Sequence, residues 1–430
     1  MLFSDITLLD ETLTPREHMY LGVRDGRVAY LSDVPPEEEY GEVYHGHKKL
    51  LMPGMYNVHT HLPMTLLRGY GENMTLDDWL HKRIFPFEAK MTGEDIYWST
   101  LLGLAELMRF GTVSASDMYY HGADMARAVL ESGMKCSISA TALCFDDSPL
   151  KALPVYRETV SLFRDWNGKG DGRIQVDCNI HGEYTSTPRV VADMADLAKE
   201  LGARVQVHLS ESEAEHQGCL QRHGKTPARY FYDLGFFDSP AVAAHCVWTT
   251  PEDWELFLEK GVTVATCPVS NLKIASGIAP AAQMLERGVS LALGTDGVAS
   301  NNDHDMFQDM KILALIQKYR AWDPTAMSPR QALSAATRTG ALAQGRTDCG
   351  SIALHNRADL VVLNMDAPHW EPVHDLLNTL VYSASGHDVC LTMVDGQVVY
   401  RDGEYPTLDL ERIYWEVSAR KDRILGELGA

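Results

Sequence analysis

Eight short apolar runs, separated by segments of helical period, constrain the fold of this chain more than any other feature. Such alternation is typical of βα units and a parallel sheet. Eight units fit a (β/α)8 barrel, whose catalytic residues lie at the carboxyl ends of the strands. A doubly wound open sheet is the alternative, although no GxGxxG phosphate turn follows the first run. The predicted strands are residues 54–61, 112–119, 136–144, 173–182, 204–210, 242–247, 262–267 and 290–296.

The two ends of the chain have a different pattern, with short strands and tight turns. Asp25-Gly26 and Asp395-Gly396 each lie between alternating apolar positions, which indicates β-hairpins. We therefore predict one small β domain, built from residues 1–52 and 352–430, and a catalytic barrel of residues 53–351.

The charge of the chain limits its partners. Its 430 residues carry a formal net charge of -21, which repels a nucleic acid backbone and an anionic membrane surface. No apolar run reaches the roughly 18 residues that span a bilayer, and no signal peptide is apparent. The eight cysteines are scattered, without a CxxC pair, as in a reduced compartment. We predict a cytoplasmic protein with no nucleic acid or membrane partner, and leave a homo-oligomer open.

Polar side chains stand at the ends of four predicted strands. His59 and His61 are two residues apart, so both point to the same side of the first strand. That pair alone is a weak signal of metal binding. His208, His245 and Asp296 end three further strands. Buried polar groups are costly without partners, so a purely structural core is not expected to place several of them on one rim. The set therefore predicts a metal site.

Three neutral imidazoles and one carboxylate suit Zn²⁺ or Fe²⁺ and leave a position for water, whose pKa the ion lowers to about 7. The fourth strand ends at His181 and contains no lysine to bridge a second metal, so we expect one ion. Glu211, three residues beyond His208, is placed to carry a proton from the attacking water to a ring nitrogen. His245, helped by Asp296, is placed to hold that water or accept its proton.

Five separated motifs occur in the order "HTHLPMTLLRG", "VHLSESEAEH", "AAHCVW", "CPVSNLKIASGIAP" and "GTDGVASNN". From about residue 50 to its end, the chain resembles the amidohydrolase superfamily, in the branch of 5′-methylthioadenosine/S-adenosylhomocysteine deaminases, close to the chlorotriazine hydrolases. The resemblance implies a distorted (β/α)8 TIM barrel with a small β-sandwich formed by both termini. The metal ligands that it implies are His59, His61, His208 and Asp296. The proton-transfer groups that it implies are Glu211 and His245, with Asp296 assisting.

The resemblance also implies a nucleoside substrate. Glu88, in "FPFEAK", matches an acid that binds ribose hydroxyls, and His181 matches a histidine that contacts the nucleoside. Trp79 belongs to a segment that covers the nucleoside in relatives, although an aromatic residue at helical spacing is more often part of a core.

One stretch departs from the family. Relatives that accept S-adenosylhomocysteine place arginines after the third strand, where they meet the amino acid carboxylate. Residues 137–154 contain no arginine here, and Asp146 and Asp147 occur instead. A smaller neutral 5′ group is therefore favoured, with Lys151 as a partial substitute for the missing cations.

The leading hypothesis is hydrolytic deamination of adenosine or a 5′-modified adenosine, such as 5′-methylthioadenosine or 5′-deoxyadenosine, to the inosine counterpart and ammonia. S-adenosylhomocysteine is left open as a substrate. The alternatives are another aminated heterocycle (guanine, another purine or a triazine), a non-catalytic metal-binding protein, and an amide hydrolase with two metals.

Overall fold

The predicted barrel is present in the computed structural model, which describes residues 1–429, apart from the side chains of residues 76 and 77. Each predicted strand has an observed counterpart whose bounds coincide with it or differ by at most four residues. The eight parallel strands are Met55–Thr60, Thr112–Tyr119, Lys135–Ala140, Ile174–Val176 continued by Cys178–Ile180, Val205–Leu209, Ala241–His245, Thr263–Thr266 and Ser290–Leu293.

The fourth strand is broken at Asp177, which separates Ile174–Val176 from Cys178–Ile180. The first half pairs with the third strand and the second half pairs with the fifth. The barrel strands therefore form one sheet of four strands and one of five, and the two sheets are joined through this broken strand.

The first and eighth strands meet on the other side of the barrel. The Asp296 N–H donates to the His59 carbonyl at 2.9 Å. The Asn57 side chain accepts from the Thr295 N–H at 3.0 Å and donates to the Thr295 hydroxyl at 2.7 Å. A Cβ on Gly294 would lie 2.8 Å from the His59 Cβ, so this approach needs a glycine. The barrel is completed by a few bonds instead of a regular ladder, and it is distorted.

Helices follow most of the strands. Three of them begin with a capping box, in which the N-cap and N3 side chains bond each other's backbone N–H. These boxes pair Thr92 with Asp95, Thr250 with Asp253, and Ser328 with Gln331. The α-helices are Leu76–Trp79, Phe85–Glu88, Gly93–Arg109, Gly122–Ser132, Pro154–Trp166, Pro188–Leu201, Glu213–His223, Pro227–Asp233, Pro251–Lys260, Pro268–Lys273, Ala281–Glu286, Met306–Ala321, Pro329–Ala336, Arg338–Ala343, Leu376–Tyr382 and Leu410–Leu428, and a π-helical turn spans Leu80–Ile84.

Strands from both ends of the chain form a second sheet. Apolar side chains from its two halves, among them Val28 and Met393, lie in one cluster, so the sheet folds over itself as a sandwich does. Both predicted hairpins are present, with positive φ at Asp25 and Gly26 and at Asp395 and Gly396. The eight strands are Leu2–Leu9, Pro15–Arg24, Arg27–Ser32, Val43–His45, Lys49–Pro53, Leu360–Asn364, Val389–Val394 and Gln397–Arg401.

The helix Leu410–Leu428 lies within the region predicted as β domain, but it contacts a barrel helix. Arg420 and Arg423 approach the Asp95 carboxylate on Gly93–Arg109, at 3.5 and 2.6 Å. The division into 1–52 with 352–430 and 53–351 stays a prediction. No helix within residues 1–429 has the length and apolar character needed to cross a membrane.

Candidate active site

The carboxyl ends of the barrel strands surround a cavity of about 670 Å³, counted with its opening to solvent. Seven of the eight predicted site residues line it. His59 is fully buried next to it, with its ring centre 5.0 Å from that of His61. The lining residues predicted from the sequence are His61, Glu88, His181, His208, Glu211, His245 and Asp296.

The histidines and Asp296 form a compact cluster of potential metal ligands. Asp296 Oδ1 lies 3.5 Å from His59 Nε2 and 3.2 Å from His61 Nε2. His208 Nε2 lies 3.3 Å from His61 Nε2. The ligand atoms of His59, His61 and Asp296 all lie within 4.8 Å of one another, as do those of His59, His208 and His245. His59 belongs to both groups, so the two sets of ligand atoms adjoin each other.

The orientation of the rings suits a divalent metal ion. The Nδ1 atoms of His61 and His208 bond the carbonyls of Met118 and His181, each at 2.7 Å. Each Nδ1 is therefore the N–H donor, which leaves the Nε2 lone pair free to bind a metal. The buried His59 Nε2 has no hydrogen-bond partner. Such an orphaned nitrogen is costly without a ligand and is explained by a bound cation.

Asp296 ends the predicted strand 290–296 but lies beyond the observed strand. The strand ends at Leu293, and Asp296 follows in the loop with a left-handed φ of 64°. Its Oδ2 accepts from the Ser270 and Ser300 hydroxyls at 2.6 and 3.0 Å. Its Oδ1, which also accepts from Gly297 N at 2.8 Å, faces the histidines. These bonds hold a strained residue in one orientation.

Glu211 and His245 come together beside this cluster, where Glu211 Oε2 lies 4.0 Å from His245 Nε2. Burial raises the pKa of Glu211. His245 Nδ1 bonds Asn271 Oδ1 at 2.9 Å, and because an amide oxygen only accepts, His245 Nδ1 carries the proton. His245 Nε2 is then a proton acceptor that faces Glu211.

Glu88 and His181 lie on one side of the cavity. That side is formed by the second to fourth strands and by the helix Phe85–Glu88, which precedes the second strand in the chain. The Tyr119 hydroxyl donates to Glu88 Oε1 at 2.5 Å. Burial raises the pKa of Glu88 to about 7. His181 Nδ1 bonds the Thr185 hydroxyl at 2.9 Å, and burial lowers the pKa of His181 to about 3, so its ring is neutral.

The remaining wall is mostly apolar or aromatic. No lysine or arginine is among the described residues that line the cavity. Lys151 lies with Arg189 on a different surface cavity, so it does not substitute for an arginine here. The apolar and aromatic lining residues are Met64, Trp79, Leu80, Ile84, Phe85, Met118, Tyr119, Tyr120, Tyr184 and Ile274.

Asn271, Ser270 and Tyr119 also contact the predicted site residues, and their sequence pattern did not predict this. Asn271 and Ser270 belong to "CPVSN", a quoted motif to which no role was given, and that motif was the available signal. Tyr119 is the last residue of the second strand, where a polar group reaches the rim as the histidines do. Strand-end position alone was sufficient to find it.

A family model shows to which protein family this chain and its site belong. Residues 50–399 match the model described as the Amidohydrolase family. The chain belongs to the amidohydrolase family. Members are metal-dependent hydrolases, so the cluster of His59, His61, His208 and Asp296 lies in a family that uses a metal at its active site.

Relatives in the family match over nearly the whole chain. A protein of Caldanaerobacter subterraneus subsp. tengcongensis named 5-methylthioadenosine/S-adenosylhomocysteine deaminase is 38% identical over 100% of this chain and 99% of its own. A 5′-deoxyadenosine deaminase of Methanothermobacter thermautotrophicus is 41% identical over 90% of each chain.

Solved structures have the same fold. An adenosine deaminase from Xanthomonas campestris with bound zinc has a TM-score of 0.92 and 30% identity, and covers 98% of each chain. An atrazine chlorohydrolase from Arthrobacter aurescens, complexed with zinc, has a TM-score of 0.90 at 21% identity, covering 98% of this chain and 99% of its own. At that identity the likeness concerns the fold alone.

Proposed function

We propose that the protein is a metal-dependent hydrolytic deaminase of adenosine or of adenosines with a small neutral 5′ group. The products are the inosine counterpart and ammonia. The observation that carries the proposal is the placement of Glu211 and His245 beside the histidine and aspartate cluster in one cavity. The proposal is supported by relatives that are named as deaminases of modified adenosines.

We infer that His59, His61, His208 and Asp296 hold one divalent ion, most simply zinc. When bound, the ion supplies a Lewis acid that makes water nucleophilic at neutral pH. The bound zinc of the Xanthomonas campestris relative supports zinc, although the same ligand types also bind iron.

The proposed roles of Glu211 and His245 follow from their protonation. His245 Nε2 is an acceptor, so it takes a hydrogen bond from the attacking water and orients it. The raised pKa of Glu211 lets its carboxyl group take a proton from that water and deliver it to N1 of the adenine ring. Protonation of N1 makes C6 more electrophilic, and a further proton transfer lets the C6 amine leave as ammonia.

The proposed sugar contacts are Glu88 and His181. Tyr119 occupies one oxygen of Glu88, and the other oxygen is available to accept hydrogen bonds from the ribose hydroxyls. The neutral His181 ring directs Nδ1 to Thr185, which leaves Nε2 for the nucleoside.

The 5′ side of the substrate is the part that differs between the named relatives. The described residues of the cavity wall include no lysine or arginine for the carboxylate of S-adenosylhomocysteine. A desolvated carboxylate without a partner costs several kcal/mol, on the order of 100-fold or more in affinity. We therefore propose methylthio, hydrogen or hydroxyl as the 5′ group. A cytoplasmic location and any homo-oligomer stay predictions.

The test is ammonia release by the zinc-reconstituted protein, with an iron-reconstituted sample in parallel. The panel contains adenosine, 5′-deoxyadenosine, 5′-methylthioadenosine, S-adenosylhomocysteine, guanine and a triazine, and Glu211→Gln is the inactive control. We expect the neutral adenosines to be preferred over S-adenosylhomocysteine by at least 100-fold in kcat/KM. Activity confined to guanine or the triazine, or an unaffected Glu211→Gln variant, would contradict the proposal.

A further inference from the structure

A second buried acid holds the turn that carries Glu211. Glu215 Oε1 accepts from the Ser210 N–H at 2.9 Å, and Glu215 Oε2 accepts from the Glu211 N–H at 2.8 Å. Glu215 is only 4% exposed. Both oxygens of one carboxylate are thus used to bind two successive backbone amides just after the strand of His208.

These bonds differ from the usual use of an acid at this helix position. Glu215 is the N3 residue of the helix Glu213–His223, and the side chain of the N-cap residue, Ser212, accepts from Glu215 N at 3.2 Å. In the three capping boxes described above, the N3 side chain returns to the N–H of its own N-cap. The Glu215 carboxylate instead extends past the N-cap to the two preceding residues.

The turn that it holds is strained. Ser210 has a left-handed φ of 47°, a conformation that costs a non-glycine residue free energy. The Ser210 side chain also bonds His216 Nδ1 at 3.2 Å, which adds a second tie between the turn and the helix. Burial raises the pKa of Glu215 and the N–H bonds from Ser210 and Glu211 oppose that rise, so an acid buried here costs the fold free energy that these two bonds offset in part. A costly acid on a strained turn indicates a demand for accurate placement.

We propose that Glu215 is a positioning residue, which fixes the backbone of Glu211 so that the Glu211 carboxyl group faces His245 and the substrate. This inference rests on the proposed function of Glu211. Two N–H donors need two acceptor oxygens, which a carboxylate provides. A glutamine has one oxygen, and its NH₂ group would oppose one of the backbone N–H donors.

The test compares Glu215→Gln with Glu213→Gln. Glu213 is an acid on the same helix turn, but its side chain is exposed, so its loss controls for the change in charge. For Glu215→Gln we expect kcat for adenosine to fall at least tenfold, with KM and the zinc content within twofold of wild type. For Glu213→Gln we expect kcat, KM and the zinc content to stay within twofold of wild type. Glu215→Asp keeps both oxygens on a shorter side chain, so we expect an intermediate kcat and a folded protein.

A second measurement does not depend on catalysis. Hydrogen exchange of the Ser210 and Glu211 amides is expected to be about tenfold faster in Glu215→Gln than in Glu213→Gln. Unchanged exchange rates or an unchanged kcat would overturn the positioning role. A lower kcat accompanied by a higher KM and a lower zinc content would overturn it as well. A wild-type protein that deaminates no adenosine refutes the proposed function instead, and the exchange rates still report whether Glu215 holds the turn.

Discussion

Replacing Glu88 with glutamine tests the sugar half of the proposed site. Tyr119 takes one carboxylate oxygen, and the other is the oxygen that we propose accepts from the 2′- and 3′-hydroxyls of the ribose. An amide keeps a single acceptor oxygen, for which Tyr119 and the sugar then compete, so we expect the loss of one hydrogen bond to a charged group. Such a bond contributes about 1.5–3 kcal/mol. The expected decrease in kcat/KM for adenosine is therefore about 10- to 150-fold.

The assay follows the ultraviolet absorbance change as the adenine ring becomes hypoxanthine, with adenosine and 2′,3′-dideoxyadenosine as substrates. Because dideoxyadenosine lacks both hydroxyls, Glu88→Gln should change its kcat/KM less than about threefold. Burial raises the pKa of Glu88 to about 7, so the acceptor form increases as the pH rises through 7. Wild-type kcat/KM for adenosine should rise over that range more steeply than that of the variant. An equal loss for both substrates would refute the assignment of Glu88 to the diol.

Three further predictions follow from single contacts. Asp296→Asn removes the anionic ligand, so we expect the zinc content from elemental analysis to fall at least tenfold, and a full zinc content would contradict the ligand role. Tyr119→Phe leaves Glu88 without its donor, and should lower kcat/KM for adenosine by about 3- to 10-fold and leave dideoxyadenosine unaffected. Lys135→Met removes the ammonium group that pairs with the buried Asp359 and Asp395, of which Asp395 keeps Arg173 and Arg357, and should lower the free energy of unfolding by about 3–5 kcal/mol in urea. Although burial opposes it, Lys135 lowers the pKa of Asp359 below 3.8, so this stabilisation is complete above pH 3.8 and is lost as the pH falls further; a variant as stable as wild type would contradict it.

The barrel and much of the candidate site could be predicted because both depend on short-range periodicity. His59 and His61 share a face since side chains alternate along a strand, and His208 and His245 reach the same rim because parallel strands end together. Asp296 was found although its strand ends three residues earlier, at Leu293, because the loops after the strands line the same rim.

The supporting contacts could not be predicted in the same way. Asn271 bonds His245 across 26 residues, and Tyr119 bonds Glu88 across 31, so no local pattern links either pair. The helix Leu410–Leu428 was not predicted individually, because residues 352–430 were assigned as a whole to the β domain. Its buried Ile413 and Ile424 lie eleven residues apart, about three helical turns, which was the local signal available.

The strand Lys49–Pro53 is joined to the first barrel strand, Met55–Thr60, by Gly54 alone. In the terminal sheet this strand lies between Leu2–Leu9 and Leu360–Asn364, and Met52 pairs with Val361 across roughly three hundred residues of chain. Contacts of such high sequence separation form late, because the intervening chain must first be ordered. We therefore expect the proposed ligand pair, His59 and His61, to be assembled near the end of folding, and metal uptake by the nascent protein to report completion of the whole molecule.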